Sequence, residues 1–321
     1  MLIDDLINTR YIENLNPRSL HTIQQTLKNS QKFELAADFS VAAEQLASDY
    51  QVIAHAVPHC RLPFANTWIE VAQQHRPRFL SASIHIPAIQ RMPHRIGFLL
   101  TTEDPNLATF KAHQFWTLRD FPNDPQASHI AMEFDPTKML GAEPITDVNR
   151  YDAQRMFQLG KAPEWVKAPA TVRGQLAAIV GPTYTDYFTG IEPLAERDST
   201  IAQLMLEIGA ADWSGENIFL LAVLALLNTL NATQSVPSDL SKLNHSRIKQ
   251  KKPPLAEHHI LTIHPRIKRF ITTKGSAGHR ELAMTFVRGH FKVRKTGIFF
   301  WRPHTRGDKD LGTTTKTYKI D

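Results

Sequence analysis

The chain has one cysteine, Cys60, among 321 residues. No intrachain disulfide can form, and a zinc site built on a cysteine cluster is excluded. A reducing, intracellular setting follows as the expectation. Glycine-rich phosphate loops are also missing: neither G-x-x-x-x-G-K-[ST] nor G-x-G-x-x-G occurs, and neither does H-E-x-x-H or G-x-S-x-G. The common nucleotide-dependent and hydrolytic signatures therefore fail. Long apolar runs are lacking too. The longest, Ile218–Leu227, spans ten residues, or about 15 Å as a helix, half of what a bilayer core needs. It reads as a buried helix, and no membrane association is expected. The opening Met1-Leu2-Ile3-Asp4-Asp5-Leu6 has neither a basic nor an apolar leader region, so no secretory signal is expected.

Acidic residues are scarce in the last quarter of the chain. Residues 241–321 hold 19 Lys+Arg against 5 Asp+Glu, whereas residues 1–240 hold 18 against 26. The overall +6 thus conceals a mildly acidic body of −8 and a tail of +14. Aromatic and β-branched residues thread through the tail, as in Phe286-Val287-Arg288-Gly289-His290-Phe291-Lys292-Val293-Arg294 and Ile298-Phe299-Phe300-Trp301-Arg302-Pro303-His304. This interleaving predicts a folded basic surface, whose default partner is a polyanion, most often nucleic acid.

Hydrophobic period gives the organisation. Leu2, Leu6, Ile7 and Tyr11, then Leu20, Ile23 and Leu27 behind Pro17, then Leu35 to Ala47 predict three helices, the third running from Phe33 to Tyr50. Residues 52–135 change to short runs split by proline and Asn/Asp turns, which predicts a mostly antiparallel sheet. A helix is predicted from Ile201. A second, over 216–230, is apolar all round and should be central. Residues 238–252 form a basic amphipathic stretch stopped by Pro253-Pro254. Strands are expected at 258–264, 284–294, 297–303 and 313–320. The predicted fold class is α+β: N-terminal helices, an antiparallel sheet and a central apolar helix, then a small basic β-rich C-terminal module. The division expected is 1–238 for the α+β body and 239–321 for the basic module.

Candidate functional residues concentrate in the module. Arg288, His290, Lys292 and Arg294 alternate along a predicted strand, so they share one face opposite Gly289, Phe291 and Val293. With Arg302, His304, Arg306, Lys249 and Lys251 they form the predicted nucleic-acid face. Trp301 and Phe291 can stack on bases or pack in a core. His279, His290 and His304 beside Arg288, Arg302 and Arg306 would also supply the base, acid and cation of a metal-independent ribonuclease. No histidine pair has the spacing of a zinc site, and no metal or other cofactor is expected. Lys274–Gly278 reads as an anion-binding nest or a plain loop. Arg306-Gly307-Asp308 reads as a turn. In the body, Leu62–Glu70 leads into the first strand of the sheet region. Trp68 and Glu70, with Phe98, are candidates for a peptide-binding groove. The alternative packs Trp68 beneath the helices.

Several of these stretches resemble a group of phage and prophage proteins. In the body the similarity runs through Leu62-Pro63-Phe64, Trp68-Ile69-Glu70 and Arg95-Ile96-Gly97-Phe98. In the tail it covers about eighty residues: the basic helix, Lys252-Pro253-Pro254-Leu255, Arg288-Gly289-His290-Phe291, Trp301-Arg302-Pro303 and Tyr318-Lys319-Ile320. The group is the family of the type V-A anti-CRISPR protein two. The resemblance implies counter-defence in the cytoplasm of a bacterial host: the nascent chain of a target protein is recognised and its mRNA is lost. The implied partners are a protein target, either the N-terminal segment of a CRISPR effector nuclease or another host protein, and RNA or the ribosome. Two further expectations stand beside it: the histidine ribonuclease, and a phage structural or assembly protein with a basic docking tail.

Overall fold

A computed structural model describes residues 1–12, 15, 17–48, 52–53, 56–76, 93–128, 130–136, 180–184, 213, 216–264, 285–287, 290–294, 297–301 and 304–306. Two short helices open the chain, α1 (Leu2–Asn8) and α2 (Pro17–Asn29), with proline at the first helical position of α2. The predicted third helix begins later than its apolar stripe suggests. Gln31–Leu35 is a strand, β1, and α3 covers only Ala37–Ala47. Phe33 and Leu35 are buried on one face of β1, a period-two pattern too short to stand out beside the helical residues that follow.

The sheet adds β2 (Asn66–Ala72), β3 (Pro93–Thr101), β4 (Phe110–Leu118), β5 (Pro125–Ala127), β6 (Ile130–Phe134) and β7 (Val180–Tyr184). Beyond these lie the buried helix α4 (Glu216–Leu227), β8 (Thr229–Leu230), β9 (Thr233–Pro237), α5 (Ser241–Lys249) and β10 (His259–Ile263). Among the described residues the main sheet has nine strands in the order β7-β6-β4-β3-β2-β1-β10-β9, with β5 beside β4. It is mixed rather than simply antiparallel: β1 pairs in parallel with both β2 and β10, and the other pairings are antiparallel. The expected class, α+β, agrees with this arrangement. Position 238 falls just after β9, and β9 pairs with β10 across it. The strand that follows the basic helix is therefore part of the body's sheet.

Each face of the sheet carries its own apolar layer. On one side Trp68, Leu99 and Phe115 pack with Leu2, Ile3, Leu6, Leu20, Ile23 and Leu27 of α1 and α2. On the other, Ile69, Val71, Phe98 and Leu100 pack with α3 and α4. Successive side chains of β2 go to opposite layers, as strand geometry requires. Helix α4 buries nine of its twelve residues, Phe219–Leu226 without a break, and lies inside as its all-round apolarity predicts. Gly97 of β3 supports the tip of the Trp68 ring; a Cβ there would overlap the indole.

Four strands near the C-terminus complete the description: β11 (Thr285–Val287), β12 (His290–Arg294), β13 (Gly297–Trp301) and β14 (His304–Arg306). The single strand expected over 284–294 is thus two. Arg294 pairs with Gly297, leaving a two-residue link between β12 and β13, and β13 pairs in parallel with β8. The helix predicted from Ile201 and the strand predicted over 313–320 lie outside the described residues.

Candidate functional site

Two charge clusters and one basic helix stand out. The first cluster crosses the sheet beneath α1. Glu34 of β1 and Glu70 of β2 are register partners. Arg95 of β3 donates from Nη2 to Glu34 Oε1 at 2.6 Å and from Nε to Glu70 Oε1. Glu70 is fully buried and also accepts the Leu2 and Ile3 backbone N–H groups at 2.8 and 3.2 Å and the Trp68 indole N–H at 3.2 Å. His258 closes the row, with Nε2 3.3 Å from Glu34 Oε2 and Nδ1 3.1 Å from the Ala256 carbonyl.

These contacts set the charge states. The hydrogen bond from His258, joined by Arg95, outweighs burial and holds the Glu34 carboxyl down at about 2. Burial pulls His258 down, but its bonds to Glu34 and the Ala256 carbonyl leave it raised. Both ring nitrogens face acceptors, which suits the imidazolium. Burial raises Asp5 nearby, with Asp4 and Glu70 adding to the effect. A carboxylate held ionised against an imidazolium and a guanidinium is an ion-pair clamp across the sheet.

The second cluster joins the turn after β2 to the opposite layer. Arg76 donates to both Glu216 oxygens at 2.9 and 2.7 Å and to Glu44 at 3.3 Å, and its guanidinium carbon lies 4.0 Å from the Phe219 ring centroid. All three charged residues are buried. Nη1 makes both contacts to Glu216 while Nε reaches Glu44, and the flat guanidinium also stacks on Phe219, a combination that suits arginine. It ties α3, α4 and the sheet together.

The basic helix α5 is different in kind: none of its residues is buried. Asn244 and Arg247 turn partly inward. The Asn244 amide clasps Leu255 N–H and C=O at 2.7 and 3.1 Å, and Arg247 Nε donates to Pro253 O at 2.9 Å. Lys242, His245 and Lys249 are exposed and, at spacings of three and four, form one stripe on the far side. The helix ends in a Schellman motif. Lys252 N–H reaches Arg247 O and Lys251 N–H reaches Ile248 O, at 2.9 Å each. Lys251 carries φ 55° at the position where glycine is usual. Residues 240–256 contain five Lys/Arg and no Asp or Glu.

Of the residues predicted from sequence, Lys249 and Lys251 are exposed on this element. His290, Lys292 and Arg294 take alternate positions of β12, while His304 and Arg306 lie on β14 paired with Val287 and Thr285. Arg288 and Arg302 lie outside the described residues. The peptide-groove assignment needs correction. Trp68, Glu70 and Phe98 have no exposed surface; Trp68 and Glu70 serve the α1 layer, and Phe98 packs against Trp213 at 5.8 Å. They present nothing to a peptide. Sequence reasoning missed Glu34, Arg95, His258, Arg76 and Glu216. Isolated charges inside apolar stretches, such as Arg95 ahead of Ile96–Leu100, were the available signal.

Among the described residues, no group of three or more His, Cys, Asp or Glu could hold a metal ion, and no helix is long and apolar enough to cross a membrane. No protein-family model, curated protein or solved structure matches the chain.

Proposed function

We propose that this chain is an RNA-binding protein of phage origin that lowers the expression of a target protein. Helix α5 and the cations that follow it supply the phosphate contacts. One observation carries the binding reading: α5 exposes a Lys242–His245–Lys249 stripe and runs into Lys251 and Lys252, with no carboxylate in 240–256. A helix held on the core by its own burial would show an apolar inner face. This one instead bonds through Asn244 and Arg247 to the segment that follows it, which leaves Lys242, Lys249, Lys251 and Lys252 exposed for a polyanion. Lys251 supports the same reading. A side chain in the left-handed region costs about 1–2 kcal/mol relative to glycine, and strain of this sort is kept where the residue has a use.

The action on expression comes from the family resemblance. On that reading the protein meets its target during translation, in the bacterial cytoplasm. The cations of β12 and β14 supply further phosphate contacts beside those of α5.

The test is fluorescence anisotropy with a labelled single-stranded RNA across a salt series. Lys249→Glu with Lys251→Glu should weaken binding about tenfold or more near 0.15 M salt. It should also flatten the log–log salt slope by roughly 1.4, at about 0.7 per lost phosphate contact on a single strand. Circular dichroism should not change, since neither side chain is buried. Unaltered affinity and slope would sink the reading. Cross-linking RNA to the wild type and this variant in producing cells then tests the action on expression: a defined transcript set should be enriched with the wild type only.

A further inference from the structure

We propose that Phe64 is a base-stacking platform for single-stranded nucleic acid whose backbone is held by α5. This deepens the RNA-binding reading and rests on it.

Phe64 precedes β2 and is 49% exposed. Its ring is fixed rather than loose. It stacks on Phe33 of β1 with centroids 6.3 Å apart and planes 28° from parallel. Phe33 in turn meets the His259 ring at 6.1 Å, and His259 Nδ1 is 3.0 Å from Ser235 Oγ on β9. Phe33 is 6% exposed and Phe64 is the outer member, so the ladder presents one aromatic face to solvent.

Topology brings this ladder to the root of the basic helix. β2, β1 and β10 are parallel neighbours: Phe33, in the middle of β1, pairs with His259, the first residue of β10, and Phe64 lies two residues before β2 begins. β9 runs the other way, and its last residue, Pro237, pairs with His259. The chain leaves Pro237 and enters α5 at Ser241. Four residues reach at most about 14 Å, so the helix begins near the His259 end of the ladder, with Phe33 standing between that end and Phe64. Cations tracking the backbone beside an aromatic face that accepts any base are the two components of single-strand binding sites. A duplex keeps its bases stacked inside and offers no base face to an aromatic ring. The ligand assigned here is therefore a single strand, recognised through base faces without sequence readout.

The experiment compares three probes of equal length on the full chain: a 12-nucleotide oligouridylate, a 12-base-pair RNA duplex and an abasic 12-mer. Phe64→Ala should weaken oligouridylate binding by about 5- to 150-fold, the range that corresponds to one lost base stack of roughly 1–3 kcal/mol. Duplex and abasic binding should stay within about twofold, and the salt slope should not move, because no phosphate contact is lost. Phe64→Tyr should restore the wild-type value and Phe64→Leu should not, which separates stacking from apolar packing. Equal loss on all three probes, or none on any, overturns the proposal. If the wild type binds no probe in a salt-dependent way, the RNA-binding reading fails first and this one with it. If the wild type binds and charge reversal on α5 removes binding while Phe64→Ala changes nothing, only the stacking platform fails.

Discussion

Glu70→Gln should loosen the α1–α2 layer while leaving the opposite layer in place. The wild-type carboxylate is fully buried and accepts from four donors: the Leu2 and Ile3 backbone, the Trp68 indole and Arg95. Glutamine keeps one acceptor oxygen in the same volume but turns an NH2 toward two of those donors. Arg95 loses least, since it keeps Glu34 at 2.6 Å and is 20% exposed. The other three are neutral donors, and each one orphaned in a buried site costs about 1–3 kcal/mol. Two orphaned donors and a weakened ion pair give roughly 3–5 kcal/mol before any offset, in line with breaking a buried pair. Relief of the carboxylate's own desolvation offsets part of this, leaving about 2–4 kcal/mol. Urea titration reads the total, and hydrogen exchange localises it: amides of residues 2–29 should lose protection, while those of α4 should keep theirs. Unchanged protection of α1, or a stability change below about 0.5 kcal/mol, would refute the view that Glu70 holds this layer down.

The Glu34–His258 pair gives stability a pH window. Glu34 titrates at about 2 when folded against an ordinary 4.5, so its contribution is full above 4.5 and fades as pH falls toward 2. His258 is raised above 6.5, so its contribution is full below 6.5 and is lost as pH rises through the folded value. The pair's contribution is therefore greatest between about pH 4.5 and 6.5, while buried His113, held down to about 3, works the other way below 6.5; the difference in thermal midpoint between wild type and Glu34→Gln should be largest in that window. Gly97→Ala should destabilise by about 1–3 kcal/mol or more, because the new methyl overlaps the Trp68 ring; an unshifted urea midpoint would contradict that packing. Lys251→Gly should hold or raise the melting temperature by relieving the φ 55° strain, while RNA affinity falls and the salt slope flattens by roughly 0.7.

Local patterns carried much of this fold. The all-apolar run became α4, Pro17 opened α2, and the short runs around Ile69, Phe98, Phe115 and Met132 became β2, β3, β4 and β6. What stayed hidden was non-local. β1 alternates over five residues only and is made a strand by parallel partners at 66–72 and 259–263, contacts that no local window contains. The same holds for the charge clusters: Glu34, Glu70, Arg95 and His258 look like surface residues until the sheet aligns them. Of the candidate interface, the cations of 242–252 were legible as a basic stretch, but the expected amphipathic packing was not met: the helix buries no residue, and Leu243 and Ile248 are exposed. The exposure of those cations, and the aromatic ladder at their root, depend on where β10 returns.

That return has a consequence in time. β10 fills the slot between β1 and β9, yet about 220 residues separate Leu35 from His259. At roughly 5–20 residues per second of synthesis, one side of β1 waits some 10–45 s after leaving the ribosome before its permanent neighbour exists. During that interval Phe33, Glu34 and Leu35 present an open backbone edge that can pair with another chain. A protein proposed to work beside the ribosome thus passes through a half-built sheet there, its aromatic ladder incomplete until the last of its neighbouring strands is made.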